Sequence, residues 1–451
     1  MSFKGFKPYP KYKDSGVEWL GEVPEHWEVK RLRFVAKFNP SKTEADRLDR
    51  STEVSFLPME AIGNDGSLDL ERTRPIGELE TGYTYFREGD VTIAKITPCF
   101  ENGKGAIMRG LLGGIGFGTT ELIVARPKVE KTTSQYLYQI FISSPFRKFG
   151  EAAMYGAGGQ KRVPDDFIQD FSTAFPPLSE QLAIASFLGQ ETSRIDTLIS
   201  EKERLIFLLQ EYRQALISHV VTKGLDPTVK VKDSGVDWVG EVPNHWEVLK
   251  LKYLATIWGG GTPSKLKQEF WEGDIPWVSP KDLKSNAIDD TEDHITKEAV
   301  LESSTQIIPS QTVLIVVRSG ILQHTIPIAI NTVPVALNQD MKAILFNEMI
   351  NPLYFLYLVT GLESLLLLEW RKKGPTVESI ESEYLLNTFI PVPPIFEQNS
   401  IAATLLEKTS RIDILISEAK KFIDLLKEYR SSLITAAVTG KINVLDEVES
   451  S

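Results

Sequence analysis

The chain contains itself twice, and that repetition constrains it more than any other feature. Residues 13–38 read KDSGVEWLGEVPEHWEVKRLRFVAKF, and residues 232–257 read KDSGVDWVGEVPNHWEVLKLKYLATI, identical at 16 of 26 positions with an offset of 219. Residues 176–222 and 393–439 match at 26 of 47 positions with an offset of 217. Whatever one half folds into, the other must be able to fold into as well. Between the repeats lie two blocks of different sequence with traces of one plan. GDVTIAK at 89–95 parallels TVLIVVR at 312–318, and TTELIVARP at 119–127 parallels NQDMKAILF at 338–346. All four read as short strands. A helical stretch follows in each block (134–153 and 352–372), then a polar glycine-containing loop and a Pro-Pro exit.

After each exit, apolar residues recur at alternating spacings of three and four, the pattern of a coiled-coil seam. The expected seam runs through Leu188, Ile195, Leu198, Leu205, Leu209, Tyr212 and Leu216, and again through Leu405, Ile412, Leu415, Phe422, Leu426, Tyr429 and Leu433. Two rods of about 40 residues, each roughly 60 Å long, pair most economically with each other. The expected fold class is therefore α+β: two tandem α/β domains separated by two long helices packed as an antiparallel coiled coil, pseudo-two-fold symmetric. The boundaries expected are a first domain over 1–175, a helical spacer over 176–222, a second domain over 223–392, a second spacer over 393–441 and a tail over 442–451.

Composition narrows the function. One cysteine, Cys99, in 451 residues excludes a disulfide framework and suits a reducing compartment, so a cytoplasmic location is expected. The lysine-bearing opening residues do not read as a secretory signal. The most apolar stretch, 354–368, is interrupted by Thr360, Gly361, Glu363 and Ser364. The net charge of −11 argues against a simple nucleic-acid binder, which is usually basic. That charge is uneven: residues 1–175 are neutral, whereas residues 223–392 carry −7.

With its duplicated GEVPEHWEV (21–29) and GEVPNHWEV (240–248), its PPLSEQ (176–181) and PPIFEQ (393–398), and TSRID at 192–196 and 409–413, the sequence resembles the specificity (S) subunits of type I restriction–modification systems. GGGTPSK at 259–265 followed by IPWVSPKDL at 275–283 also looks like the start of such a recognition domain. The resemblance covers residues 13–441. It implies a DNA-binding, non-catalytic subunit with two target recognition domains, each reading one half of a bipartite double-stranded target. The helices would set the spacing and dock two methyltransferase (M) subunits, with restriction (R) subunits joining through the complex. S-adenosylmethionine, ATP and magnesium would be held by those partners and no cofactor by this chain. A coiled-coil adaptor without DNA recognition is the alternative, and a self-contained methyltransferase or nuclease is a further competitor. An acidic subunit suits this assembly if basic clusters face the duplex and partners supply much of the phosphate-neutralising charge.

Bases are read by amides, carboxylates, guanidiniums and ammoniums, and phosphates by cations and backbone N–H groups. In the first block the candidates are Lys95 at a strand end, Thr119, Thr120 and Glu121 before the next strand, and Gln160, Lys161 and Arg162 in the AGGQKRV loop. In the second they are Arg318, then Asn338, Gln339 and Asp340, then Arg371, Lys372 and Lys373, with Trp277, Ser279 and Lys281 as an aromatic and polar cluster. No catalytic or metal residues are expected. The repeated Trp19, Trp27, Trp238 and Trp246, with His26 and His245, read as packing of the GEVP motif against a neighbouring helix. Asn351-Pro352-Leu353-Tyr354 superficially resembles an adenine methyltransferase motif, but a helix start with proline in its first turn explains it better. GGIGFG at 113–118 lacks the lysine and hydroxyl of a phosphate-binding loop.

Overall fold

The computed structural model describes residues 6–157, 159–372 and 378–445. The chain divides into two compact units, one of residues 1–202 and 421–451, the other of residues 203–420. Each unit thus combines one variable block with the start of one long helix and the end of the other. Those helices, Leu178–Lys223 and Ile395–Val438, carry the repeated segments.

In the first unit, Ala36–Phe38, Leu122–Pro127, Val91–Ala94 and Gly105–Ile107 form a four-stranded sheet in that order, every pairing antiparallel. A second four-stranded sheet holds Thr73–Pro75, Glu53–Leu57, Ile115–Gly118 and Thr84–Arg87. The second unit repeats the first arrangement, with Ala255–Gly259, Met341–Phe346, Val313–Val316, Ile328–Asn331 and Ala287–Ile288 in one sheet. The strands expected from the sequence are thus present, and the two expected in each block are antiparallel neighbours. The helical stretches are each broken once. Ser134–Ile142 is followed by Ser144–Ala152, and Pro352–Gly361 by Glu363–Trp370. Asn351 caps the third of these through its side chain, which accepts from Leu353 and Tyr354 N–H, so this motif is a helix start.

The repeated motifs meet one another inside each unit. In the first, the buried Glu180 of PPLSEQ accepts from Trp27 Nε1 (3.0 Å) and Tyr9 hydroxyl (2.6 Å), and His26 Nε2 lies 2.8 Å from its other oxygen. In the second, Glu397 accepts from Trp246 Nε1 at 3.1 Å, with His245 Nε2 at 2.8 Å. The following glutamine ties the helix to its own Pro-Pro carbonyl: Gln181 Nε2 donates to Pro176 O, and Gln398 Nε2 to Pro393 O. A buried tyrosine then reaches the end of the opposite long helix. Tyr136 hydroxyl lies within hydrogen-bond distance of Ala174 O and Val438 O, and Tyr354 hydroxyl of Pro391 O and Val221 O. Finally, Lys441 Nζ donates to Glu22 O and Lys223 Nζ to Glu241 O. Gly440 precedes that lysine in a left-handed conformation, and a Cβ there would lie 2.3 Å from Pro24 Cδ, so only glycine closes this end.

The long helices run antiparallel within each unit. TSRID faces LLxEYR: Arg430 pairs with Asp196 at 2.9 Å in the first unit, and Arg213 with Asp413 at 3.2 Å in the second. The seam differs from the expected one. Leu188, Ile195, Leu405, Ile412 and Leu433 are buried, and Leu209, Leu216 and Leu426 partly so, but Leu205, Tyr212, Leu415 and Phe422 are exposed. Leu198 and Tyr429 are only partly covered. The intervening seam positions lie four residues on rather than three: Thr192, Ile199, Ile206 and Arg213 in one helix, and Thr409, Ile416, Ile423 and Arg430 in the other. Both faces are apolar, and burial goes to the β-branched and Thr/Arg series. The two arginines enter it because an aspartate on the facing helix receives each.

Glu180→Ala leaves three donors without their carboxylate and should cost on the order of 3–5 kcal/mol. Glu397→Ala, with two donors and a more exposed carboxylate, should cost less. Urea unfolding followed by tryptophan fluorescence checks the order. Ile416→Ala should cost about 2–4 kcal/mol and Leu415→Ala under about 1. Equal costs in denaturation would place the seam elsewhere.

Candidate nucleic-acid interface

In the first unit the three candidate segments come together. Lys95 follows the strand Val91–Ala94; its N–H donates to Glu121 O (2.9 Å), and its carbonyl accepts from Val163 N–H (2.8 Å). Thr97 N–H donates to Lys161 O at 2.9 Å, which fastens the loop to the same strand end. Glu121 receives Arg162 in a two-point bond, Nε to Oε2 at 2.9 Å and Nη2 to Oε1 at 2.7 Å. That bond holds the Glu121 carboxyl below its ordinary value of 4.5. Lys95 Nζ lies 3.7 Å from Asp165. Thr120, Gln160 and Lys161 are exposed, and Thr119, Glu121 and Arg162 partly so.

Gly156, just before this loop, serves the loop's closure. A Cβ at Gly156, whose φ is +130°, would lie 2.7 Å from Gln160 O. The sequence pointed to the loop's polar tip and passed over Tyr155, an exposed aromatic whose backbone pairs with Arg162 in both directions. Its position two residues before AGGQKR was the available signal.

The second unit builds a corresponding cluster from corresponding segments. Val317 and Arg318 follow the strand Val313–Val316, and both N–H groups point to Asp340 O. Ile380 N–H donates to Val317 O, as Val163 does to Lys95. Arg318 Nε donates to Asp340 Oδ1 at 2.7 Å, so again an arginine from one segment is fixed by an acid from another. Asn338 is buried and shapes the turn, its Oδ1 accepting from Asp340 N–H. Gln339 is exposed; its amide bonds Asp340, and its carbonyl oxygen accepts from the Thr262 hydroxyl. Thr262 belongs to GGGTPSK. Gly261 N–H in that stretch donates to Leu337 O, and a Cβ at Gly260 would collide with Asn338 O. Arg371 and Lys372 pair with Glu378 and Glu381. Lys373 lies outside the described residues.

The cluster around 277–281 takes a different role from the one expected. Trp277 is only 6% exposed; its indole N–H donates to Gly261 O and its ring packs edge-on against Trp271. Ser279 is buried in a reciprocal capping box with Asp282. Neither offers surface to a base, because each side chain is spent on holding its neighbours. Lys281 remains exposed but is paired with Glu292 and Asp293, whose hydrogen bonds raise its pKa. Among the described residues, no group of three or more histidine, cysteine, aspartate or glutamate side chains is placed to hold a metal ion.

Each unit therefore presents amides, hydroxyls and cations from a strand end, a turn and a loop, pinned by one arginine–carboxylate bond. A family profile described as the type I restriction modification DNA specificity domain matches residues 24–206 and again 243–421. The chain belongs to that family. It is 38% identical over 245 residues to the type I restriction enzyme EcoAI specificity subunit of Escherichia coli, covering 54% of this chain and 40% of the relative. It is 42% identical over 196 residues to the EcoR124I/EcoR124II specificity subunit of Escherichia coli, covering 43% of this chain and 45% of the relative. These matches span less than half of the relatives' own length. A putative type I restriction enzyme MjaX specificity subunit of Methanocaldococcus jannaschii aligns over 94% of this chain and 96% of its own length at 24% identity.

Two solved structures share the fold. One, described as the structural basis of complex assembly and conformational transition of the type I R-M system, has a TM-score of 0.74 at 17% identity, covering 92% of this chain and 98% of that one. The other is the HsdS subunit of Thermoanaerobacter tengcongensis, with a TM-score of 0.59 at 18% identity, covering 93% of this chain and 98% of that one.

The lowered Glu121 pKa gives a signed prediction. The Arg162 bond is fully present above the ordinary carboxylate value of 4.5 and is lost as pH falls through the lowered folded value. In an NMR titration of side-chain carboxyls, Arg162→Ala should raise the Glu121 midpoint towards 4.5. An unchanged midpoint would mean that the guanidinium does not hold it.

Proposed function

We propose that this chain is the DNA sequence-specificity subunit of a type I restriction–modification complex, each unit reading one half of a bipartite double-stranded target. The observation that carries the proposal is the twofold occurrence of one polar cluster, built from corresponding segments but different side chains. Lys95, Thr119, Thr120, Glu121, Gln160, Lys161 and Arg162 are the candidate readers of the first half. Arg318, Gln339, Asp340, Arg371 and Lys372 are those of the second, with Asn338 shaping its turn. The recognition domains correspond to residues 1–175 and 223–392 and the spacers to 176–222 and 393–441. Catalysis belongs to partners: two methyltransferase subunits using S-adenosylmethionine, and restriction subunits requiring ATP and magnesium. The setting is cytoplasmic. No single helix among the described residues is long and apolar enough to cross a membrane.

The exposed faces of the long helices support partner docking. Leu205, Leu208 and Tyr212 remain exposed in the second unit, and Phe422 and Leu425 in the first. Leu205 and Leu208 occupy the same repeat positions as Phe422 and Leu425, so two copies of one partner could use equivalent stripes.

Electrophoretic binding to duplex DNA, with and without a co-expressed methyltransferase subunit, tests the reading. The chain alone should bind weakly and the complex tightly, and Leu208→Asp with Leu425→Asp should abolish co-purification. Full methylation by the chain alone, or no association with any methyltransferase subunit, would overturn it.

A further inference from the structure

The repeated GEVP segment ends in a surface feature that none of the clusters above uses. Phe34 and Tyr253 stand at the same position of the repeat, and both are exposed, at 60% and 65%. Folding gives no reason for a large aromatic to stay in water at one place twice. Each is flanked by cations at matching positions: Arg31 and Arg33 in the first unit, Lys250 and Lys252 in the second. Arg31 and Arg33 share one aspartate, Asp170, at 3.4 and 2.5 Å, which leaves the pair net positive. In the second unit the corresponding partner is the neutral Asn387, whose Oδ1 accepts from Lys252 Nζ at 3.1 Å. Lys252 also lies over the Tyr253 ring.

The position of these patches identifies what they face. In the first unit the helix Asp165–Asp170 starts at the acid that pairs with Lys95 and ends at the acid that holds Arg31 and Arg33. In the second, the helix Ser382–Asn387 follows Glu381, which pairs with Lys372, and ends at Asn387, which holds Lys252. Six helical residues rise about 9 Å, roughly three base steps along a duplex. Cations and an aromatic this close to a candidate base reader match the chemistry of a sugar–phosphate backbone.

We propose that Arg31, Arg33 and Phe34, and again Lys250, Lys252 and Tyr253, form a sequence-independent contact to the DNA backbone beside each reading cluster. The repeat carries these residues in near-identical form while the reading clusters differ. Such a contact would supply affinity and orientation to any pair of half-sites. The inference rests on the specificity-subunit reading.

The test uses the full chain in complex with its co-expressed methyltransferase subunit. The probes are fluorescent duplexes with and without the modified sequence, titrated across a salt series. Replacing Arg31, Arg33, Lys250 and Lys252 by alanine should make the slope of log Kd against log salt shallower by about 2–4. Affinity should fall equally for both duplexes, with the methylated sequence unchanged. Phe34→Ala with Tyr253→Ala should weaken both duplexes alike. An unchanged slope with the complex intact would overturn the inference. Loss of the methyltransferase subunit from the complex would also overturn it, by assigning the patch to a protein interface. If the fourfold variant fails to fold, Lys250→Ala with Lys252→Ala breaks no carboxylate ion pair and should still flatten the slope by about 1–2. A wild-type complex with no affinity for DNA would instead bring down the specificity reading itself.

Discussion

One carboxylate at the start of each long helix, buried in the first unit and partly covered in the second, holds each unit together. Glu180 and Glu397 receive the indole N–H and the imidazole of the tryptophan–histidine pair in the GEVP motif. A carboxylate taken out of water is costly unless every donor around it is used. This interaction therefore demands one placement of the motif against one helix turn, and tolerates little slippage. The neighbouring glutamine, the buried tyrosine and the terminal lysine depend on that placement. Each adds a directional bond between elements that also meet through apolar contact. The variable blocks can then change their surface residues without disturbing the frame that presents them.

Much of this frame was legible because the chain states it twice. A residue repeated where its neighbours vary is held by a contact, and Trp27, His26, Glu180 and Gln181 are such residues. The paired strands were legible from β-branched runs. The seam was not, because Leu205, Tyr212, Leu415 and Phe422 are as apolar as Ile199, Ile206, Ile416 and Ile423. Periodicity registers two apolar stripes on one helix without saying which one meets the other helix. The arginines at 213 and 430 were the missed signal, since a charge in a seam is tolerated only opposite an acid, and the TSRID aspartate was present in both repeats.

The polar clusters were partly legible. Strand ends, turns and loops were located correctly enough for three sequence-distant segments to converge in each unit. What sequence could not distinguish is a polar side chain that faces outward from one consumed internally. Ser279 caps its own turn and Trp277 supports the glycine-rich GGGTPSK stretch, and both were chosen for chemistry that burial withdraws. Tyr155, Phe34 and Tyr253 are the converse, apolar rings left in solvent beside cations or guanidiniums. The acidity of the whole chain fits this picture. On the proposed function, a protein of net charge −11 that reads DNA would need partners to complete its hold on the phosphates.

The central claim is that two separate readers each specify one half of a single DNA target. Genome-wide mapping of methylated adenines in cells expressing this chain with its methyltransferase partner tests it most directly. The expected result is a motif in two short specified parts separated by a fixed run of unspecified bases. One short continuous motif, or no change in the methylated sequence, would contradict it.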